Sequence, residues 1–398
     1  MMVLAGCQPS GKTPQHPTAL PVLQLVSTQQ LPTFKDDLAF LSLREAIHSS
    51  LSFYEHLPQE RKIAFGEHQV SVSVLRESLT HFAKILESQP EKLEDSDFLG
   101  REFDVYRCAG GKSGNLLVTG YYEPVLQGSL QPTARYRYPL YRVPKDLVTI
   151  ELSQFDPKRF GSERLVGRLD GDRVVPYYTR AEIDGQGKLE RHQGQLSWLD
   201  DPIAVYFLHI QGSGVIRLED EHTFRVGYAG GNGRPYRSIG KFLLDKGVVA
   251  PEDMSLQAIR SYLQQHPEDV DEVLSFNESY VFFRNVTGGP VGNLGYLVTA
   301  GRSIATDQRY YPKGGLAFLV SDKPRLDANG RSMGWEPFHR WVLNQDTGGA
   351  IRGPSRIDLF CGTGEPAEAV AGPMKQDGVC YFLLKKGSIL EDRATENN

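Results

Sequence analysis

Short apolar runs, each cut off by a Gly, Pro or Asp turn, dominate the chain from about residue 103 onward. Examples are residues 115–119, 203–210, 315–320, 339–343 and 381–384. Such runs have the length of strands, and 40 glycines and 24 prolines supply the turns between them. The pattern predicts a mostly β protein. Helical spacing is confined to three places. Phe40, Leu43, Ile47, Leu51 and Tyr54 recur every three or four residues, and so do Val72, Leu75, Leu79, Phe82 and Leu86. A third helical stretch covers about 237–275. With 398 residues the chain exceeds one ordinary core and suits two domains, one inserted in the other.

Charge excludes some functions. Lys and Arg number 44 against 49 Asp and Glu, a net of −5, and the basic residues are scattered singly. A phosphate-neutralising surface for nucleic acid is not expected. No apolar run approaches the roughly 18 residues of a membrane-spanning helix. No Cys or His cluster has metal-ligand spacing, so neither a metal nor a cofactor is expected. Of the four cysteines, Cys361 and Cys380 could pair in an oxidising compartment and staple a loop, or remain two unpaired thiols. Cys7 ends Leu4-Ala5-Gly6-Cys7, which resembles a lipobox in which the Cys is lipidated. The positive and most of the apolar part of such a signal are missing, so residues 1–7 read as the remnant of a signal cut short. Residue 8 is Gln and not Asp, which favours an anchor in the outer membrane. Residues 8–34, rich in Pro, Gln, Thr and Ser, read as a flexible tether.

The stretch 344–364 is richest in chemistry. Asp358 sits between Ile357 and Leu359; on a strand it points away from both. A carboxylate beside apolar neighbours is a candidate for a raised pKa, which a general acid near neutral pH needs. The bland alternative is a turn-capping Asp. Asp346-Thr347-Gly348 looks like the tripeptide of aspartic proteases, but those enzymes need two such carboxylates sharing a proton. Residues 361–367 mimic a dinucleotide fingerprint, with Pro366 expected to break the helix that should follow. Three further stretches, 119–124, 208–214 and 226–240, combine glycines with Tyr, Gln, Ser, Asn and Arg. Each reads as a tight turn, the second ending an apolar strand. Together they offer the flat faces, amides and hydroxyls that a sugar groove needs.

These motifs, in this order, resemble the membrane-bound lytic transglycosylase A family. The resemblance rests on residues 119–124 (TGYYEP), 138–141 (YPLY), 210–214 (IQGSG), 228–240 (YAGGNGRPYRSIG), 277–284 (NESYVFFR), 300–315 and 345–358 (QDTGGAIRG…ID), and spans roughly 115–390. It implies a double-psi β-barrel formed by residues 35–124 and 284–398, a smaller β-domain inserted at 125–283, and a groove between them. The barrel's C-terminal part resembles a module named for three aspartates, which match Asp307, Asp346 and Asp358. The family's catalytic acid falls on Asp358, with Asp346 and Asp307 supporting it through hydrogen bonds or by raising its pKa. Thr119, Tyr121, Tyr122, Glu123, Gln211, Ser213, Gly214, Tyr236 and Ser238 are the expected substrate-binding residues.

The resemblance further implies cleavage of the β-1,4 bond between N-acetylmuramic acid and N-acetylglucosamine in peptidoglycan, leaving 1,6-anhydromuramic acid ends. The expected setting is the periplasm, with a lipid at Cys7 as the only membrane attachment. Glycan strands are the expected partner, wall-synthesis proteins are candidates, and a monomer is expected. The competing reading is a non-catalytic, expansin-like glycan-binding protein on the same barrel.

Overall fold

The computed structural model describes residues 21–110, 114–161, 163–250, 254–328 and 330–389. Cys7 and residues 8–20 of the expected tether lie outside them.

Six strands close into a barrel: β1 (Leu116–Glu123), β2 (Ser303–Ala305), β3 (Leu316–Leu326), β4 (Ser332–Asp346), β5 (Arg356–Thr363) and β6 (Lys375–Lys385). Their order is β6-β3-β4-β2-β5-β1, and β6 pairs back onto β1 to complete the ring. Closure leaves no open sheet edge within the ring. Two contacts are parallel, β1 with β5 and β2 with β4, and the rest are antiparallel. Parallel neighbours cannot be joined by a hairpin; β1 and β5 are therefore separated by most of the chain, as a double-psi barrel requires. Ile304, Phe318, Leu343, Ile357, Leu359 and Phe382, on the two faces of these strands, belong to one buried core. Helices α1 (Leu43–Glu55) and α2 (Val72–Ser88) lay their apolar faces on β4 and β6. Both match the periodic stretches, except that Phe40 precedes α1 in a left-handed conformation, φ 62°.

Between β1 and β2 the chain leaves to build a second domain. Strands Val125–Ser129, Tyr138–Tyr141, Gln195–Leu199, Ser213–Arg217, Thr223–Gly231 and Val281–Val286 form its six-stranded sheet. Helix α3 (Pro202–Gln211) lies between this sheet and β1. The mostly β character, the barrel and the inserted β-domain match expectation.

Four local readings are corrected or decided. Residues 203–210 form α3, not a strand. Asp201 caps it, Pro202 occupies its first turn, and Ile203 to His209 are all buried. A helix apolar on every side carries no periodicity that separates it from a buried strand. Second, residues 21–34 are not free tether. Leu23–Leu25 pairs with strand Phe103–Cys108, and Phe34 is fully buried, stacked on Trp341 at 5.0–5.4 Å from neighbouring rings. Third, Cys361 and Cys380 are both free. Cys361 leans on Met374 at 3.9 Å, whereas Cys380 is sealed in the barrel core beside Cys108. Fourth, Pro366 does not break a helix: Glu365–Ala371 follows Gly364 directly, because Pro is accommodated in a first turn.

The N-terminal segment is fastened by one buried ion pair. Asp36 takes both Arg302 Nη atoms at 2.7 and 2.9 Å, plus the backbone amides of Leu38, Phe40 and Trp341. Arg302 also donates to the carbonyls of Leu41 and Trp341. These partners, first among them Arg302, outweigh the desolvation that alone would raise the carboxyl, and hold the Asp36 pKa below its ordinary value. Removing one partner strands the other charge in the core. Asp36→Ala is expected to lose about 3–5 kcal/mol of unfolding free energy in urea titrations; a loss under about 1 kcal/mol would show that the pair does not secure the segment.

Candidate active site

A groove of about 1540 Å³ runs between barrel and insert. That exceeds the roughly 300–1,000 Å³ of small-molecule pockets and suits an extended ligand. Its floor is the barrel rim, where β1, β5 and the ends of β2 and β4 present polar side chains.

Asp358 reaches the groove because β5 alternates. Ile357 and Leu359 turn into the core, and Asp358 turns out with Arg356. In parallel register Asp358 stands opposite Thr119 of β1. The Thr119 hydroxyl donates to Asp358 Oδ1 in a short hydrogen bond, and Arg356 donates to Thr119 Oγ1 at 3.2 and 3.3 Å. Burial raises the Asp358 pKa above the ordinary carboxyl value, against the pull of Arg356 and Thr119.

Asp346, at the end of β4, is held differently. It accepts from Tyr121 Oη at 2.9 Å, from Asn293 N at 3.0 Å and from Thr347 N at 2.9 Å. Burial pushes its pKa up to about 6, with Asp358 adding to the rise and these three donors opposing it. Every donor aims at the carboxylate, so Asp346 is built to accept. Asp358 keeps one oxygen without a hydrogen bond among the described residues and lines the open groove. Asp307 is further removed. Arg309 grips both its oxygens at 2.6–3.2 Å and Gly353 N donates at 2.8 Å. Although burial alone would raise it, Arg309 leads the contacts that hold its pKa below the usual value. It anchors the 347–355 loop that bridges β4 and β5, and does not raise the pKa of Asp358 by contact.

The other expected residues divide. Tyr121 lies over Asp346 and packs on Phe360 at 5.1 Å. Gln211, Ser213, Tyr236 and Ser238 line the opposite, insert wall. Gln211 accepts from Tyr122 N at 3.0 Å across the domain junction, and Ser238 caps helix Ile239–Asp245. The Tyr122 ring touches the groove but packs mainly on Ala367 and Ala371. Glu123 and Gly214 do not line the groove. Glu123 is fully buried and accepts from Thr363 Oγ1 of the barrel at 2.7 Å and from Arg225 of the insert at 3.4 Å. A side chain at Gly214 would meet Leu208 Cδ1 at 2.5 Å; glycine lets strand Ser213–Arg217 pass close to α3. Both residues serve the junction.

Sequence reasoning missed Arg356, which shares the outward face of β5 with Asp358, two residues away; strand alternation could have found it. It also missed Asn293, which acts through its backbone amide and carries no sequence signal, and the groove lip formed by hairpin Lys62–Phe65 and His68–Ser71. Among the described residues no group of His, Cys, Asp and Glu could hold a metal ion, and no helix is long and apolar enough to cross a membrane.

A closed barrel, an inserted β-domain and a groove centred on two unlike aspartates define a protein with a cleft long enough for an extended ligand. Comparison with known proteins carries this further. Residues 117–284 match the MltA specific insert domain and residues 302–384 the 3D domain. Membrane-bound lytic murein transglycosylase A of Escherichia coli K12 is 35% identical over 284 residues, 70% of this chain and 69% of that protein. The crystal structure of a membrane-bound lytic murein transglycosylase from Agrobacterium tumefaciens superposes with a TM-score of 0.75 at 30% identity, covering 93% of this chain and 99% of that one. E. coli MltA with bound chitohexaose shares the fold, with a TM-score of 0.65 at 24% identity over 95% and 99% of the two chains. The chain belongs to the membrane-bound lytic murein transglycosylase A family.

The environment of Asp346 has a pH signature. Its unfolded pKa is near 4 and its folded value about 6. The folded state therefore holds the proton more tightly, and this group's contribution to stability is lost as pH rises from about 4 through 6. Asp346→Asn removes that term. The stability of the variant relative to the parent is expected to climb across this window and then level off, as read by thermal unfolding at successive pH values; a flat difference would contradict the raised pKa.

Proposed function

We propose that the protein is a peptidoglycan lytic transglycosylase in which Asp358 acts first as acid and then as base. The observation that carries the assignment is the contrast between the two aspartates: Asp346 is saturated by donors, while Asp358 is half-buried, raised in pKa and open to the groove. Protonated Asp358 donates to the oxygen of the β-1,4 bond between N-acetylmuramic acid and N-acetylglucosamine. The bond breaks as positive charge builds at C1. Asp346, ionised above about pH 6, supplies negative charge close by. The muramyl C6 hydroxyl then attacks C1, and the Asp358 carboxylate takes its proton. The 1,6-anhydro ring closes and Asp358 is protonated again.

A hydrolase needs a second carboxylate to activate water or to attack the sugar. Here the nucleophile belongs to the substrate, so its effective concentration is high and one acid–base group suffices. Thr119 and Arg356 position Asp358 and limit the rise in its pKa. Tyr121 and Tyr236 offer ring faces to sugars, and Gln211 and Ser213 offer polar groups from the facing wall. The relatives' names support a membrane-bound setting; the periplasm as compartment and a lipid on Cys7 as anchor are part of the same proposal.

Asp358→Ala is expected to fold normally and to release 1,6-anhydro-ended fragments from purified sacculi at least about a hundredfold more slowly, followed by mass spectrometry. Near-parental release would remove Asp358 from the role. Binding to sacculi with no anhydro product from the parent protein itself would favour the non-catalytic, expansin-like alternative.

A further inference from the structure

Lys and Arg outnumber Asp and Glu along the groove lining, although the chain as a whole is acidic. Three of the groove's carboxylates are already committed. Asp307 is held by Arg309, Asp346 by its three donors, and Asp358 by Thr119. Two cations near Asp346 have no carboxylate of their own. Lys313, in the loop between β2 and β3, rests its Nζ 5.3 Å over the Phe53 ring and forms no ion pair among the described residues. Its position is fixed from behind, because Tyr54 Oη donates to the Lys313 carbonyl at 2.9 Å. Arg61 stands at the base of the hairpin lip, also on the groove and also without an ion pair among the described residues. Burial, and then repulsion from Arg61, lower the Lys313 pKa, and Asp346 opposes them. Two like charges on one groove, neither ion-paired among the described residues, favour an incoming anion.

We propose that Lys313 and Arg61 form an anion subsite that binds a carboxylate of the glycan substrate, an inference that rests on the glycan-strand reading above. Peptidoglycan offers this group in two forms. A muramyl residue stripped of peptide exposes its lactyl carboxylate, and a substituted one carries the carboxylates of its stem peptide. Chitin oligomers carry neither. The pair thus selects muramyl strands over neutral ones of equal length, at a site distinct from the acid that cleaves them.

The test measures dissociation constants in the Asp358→Asn background, so that strands survive. Three ligands are compared: chitohexaose, a peptide-free muramyl–glucosaminyl hexamer, and the same hexamer bearing stem peptides. Adding Lys313→Gln and Arg61→Gln together is expected to weaken at least one anionic hexamer about tenfold, with chitohexaose changed less than twofold. The preference for the anionic strand should shrink as salt rises. Weakening of the peptide-free hexamer identifies the lactyl carboxylate; weakening of the substituted hexamer alone identifies the peptide. Equal weakening of all three ligands, or of none, overturns the subsite. If the double variant fails to fold, the exposed Arg61→Gln alone is expected to weaken the same anionic ligand about threefold, and no change there overturns it equally. Failure of the functional reading is separately visible, as release of anhydro ends by the Asp358→Asn background itself.

Discussion

The parallel pairing of β1 with β5 is the contact on which the rest depends. Asp358 meets Thr119 only because two strands about 240 residues apart in sequence lie side by side in one register. A slip of one residue would turn Asp358 into the core and Ile357 toward solvent. The antiparallel return of β6 onto β1 fixes that register from the other side, and Gly120 lets helix Glu365–Ala371 pack close to β1, since a side chain there would meet the Ala371 backbone at 2.7 Å. Barrel closure and acid placement are therefore one event. The whole second domain hangs from the end of β1, so the same pairing also sets where the insert begins.

The two central aspartates show how identical side chains part company. Both are half-buried and both have raised pKa values. Asp346 sits where a strand ends, so the backbone amides of the following loop are free to point at it. Asp358 sits mid-strand, where the neighbouring amides are engaged in the ladder, and only side chains can reach it. Position along the strand decides which carboxyl is saturated by backbone donors and which keeps an oxygen open to the groove.

Much of this was legible in the residues. Strand alternation placed Asp358 opposite Ile357 and Leu359, and helical spacing located α1 and α2. The order of motifs led to the barrel with its insert. Some things were not legible for physical reasons. The run 203–210 is apolar throughout, and only its Asp-Pro start hints at a helix. Phe34 lies in a polar-looking segment, yet its ring is essential filling between Phe318 and Trp341. Glu123 shares the face of Tyr121 by alternation, but the register shift before Thr363 and the exit of the chain into the insert bury it. Asn293 contributes an amide that every residue except proline possesses. Pairings across hundreds of residues, and functions of the backbone, leave no mark on local pattern.

Glu123 has a consequence of its own. One buried carboxylate touches Thr363 on the barrel and Arg225 on the insert, and its second oxygen has no partner among the described residues. The geometry between the two bodies is thus coupled to a few side chains that never meet the substrate. Arg225 and Thr363 bear on the seam between the two domains and do not line the groove. Domain packing and groove chemistry are therefore set by different residues.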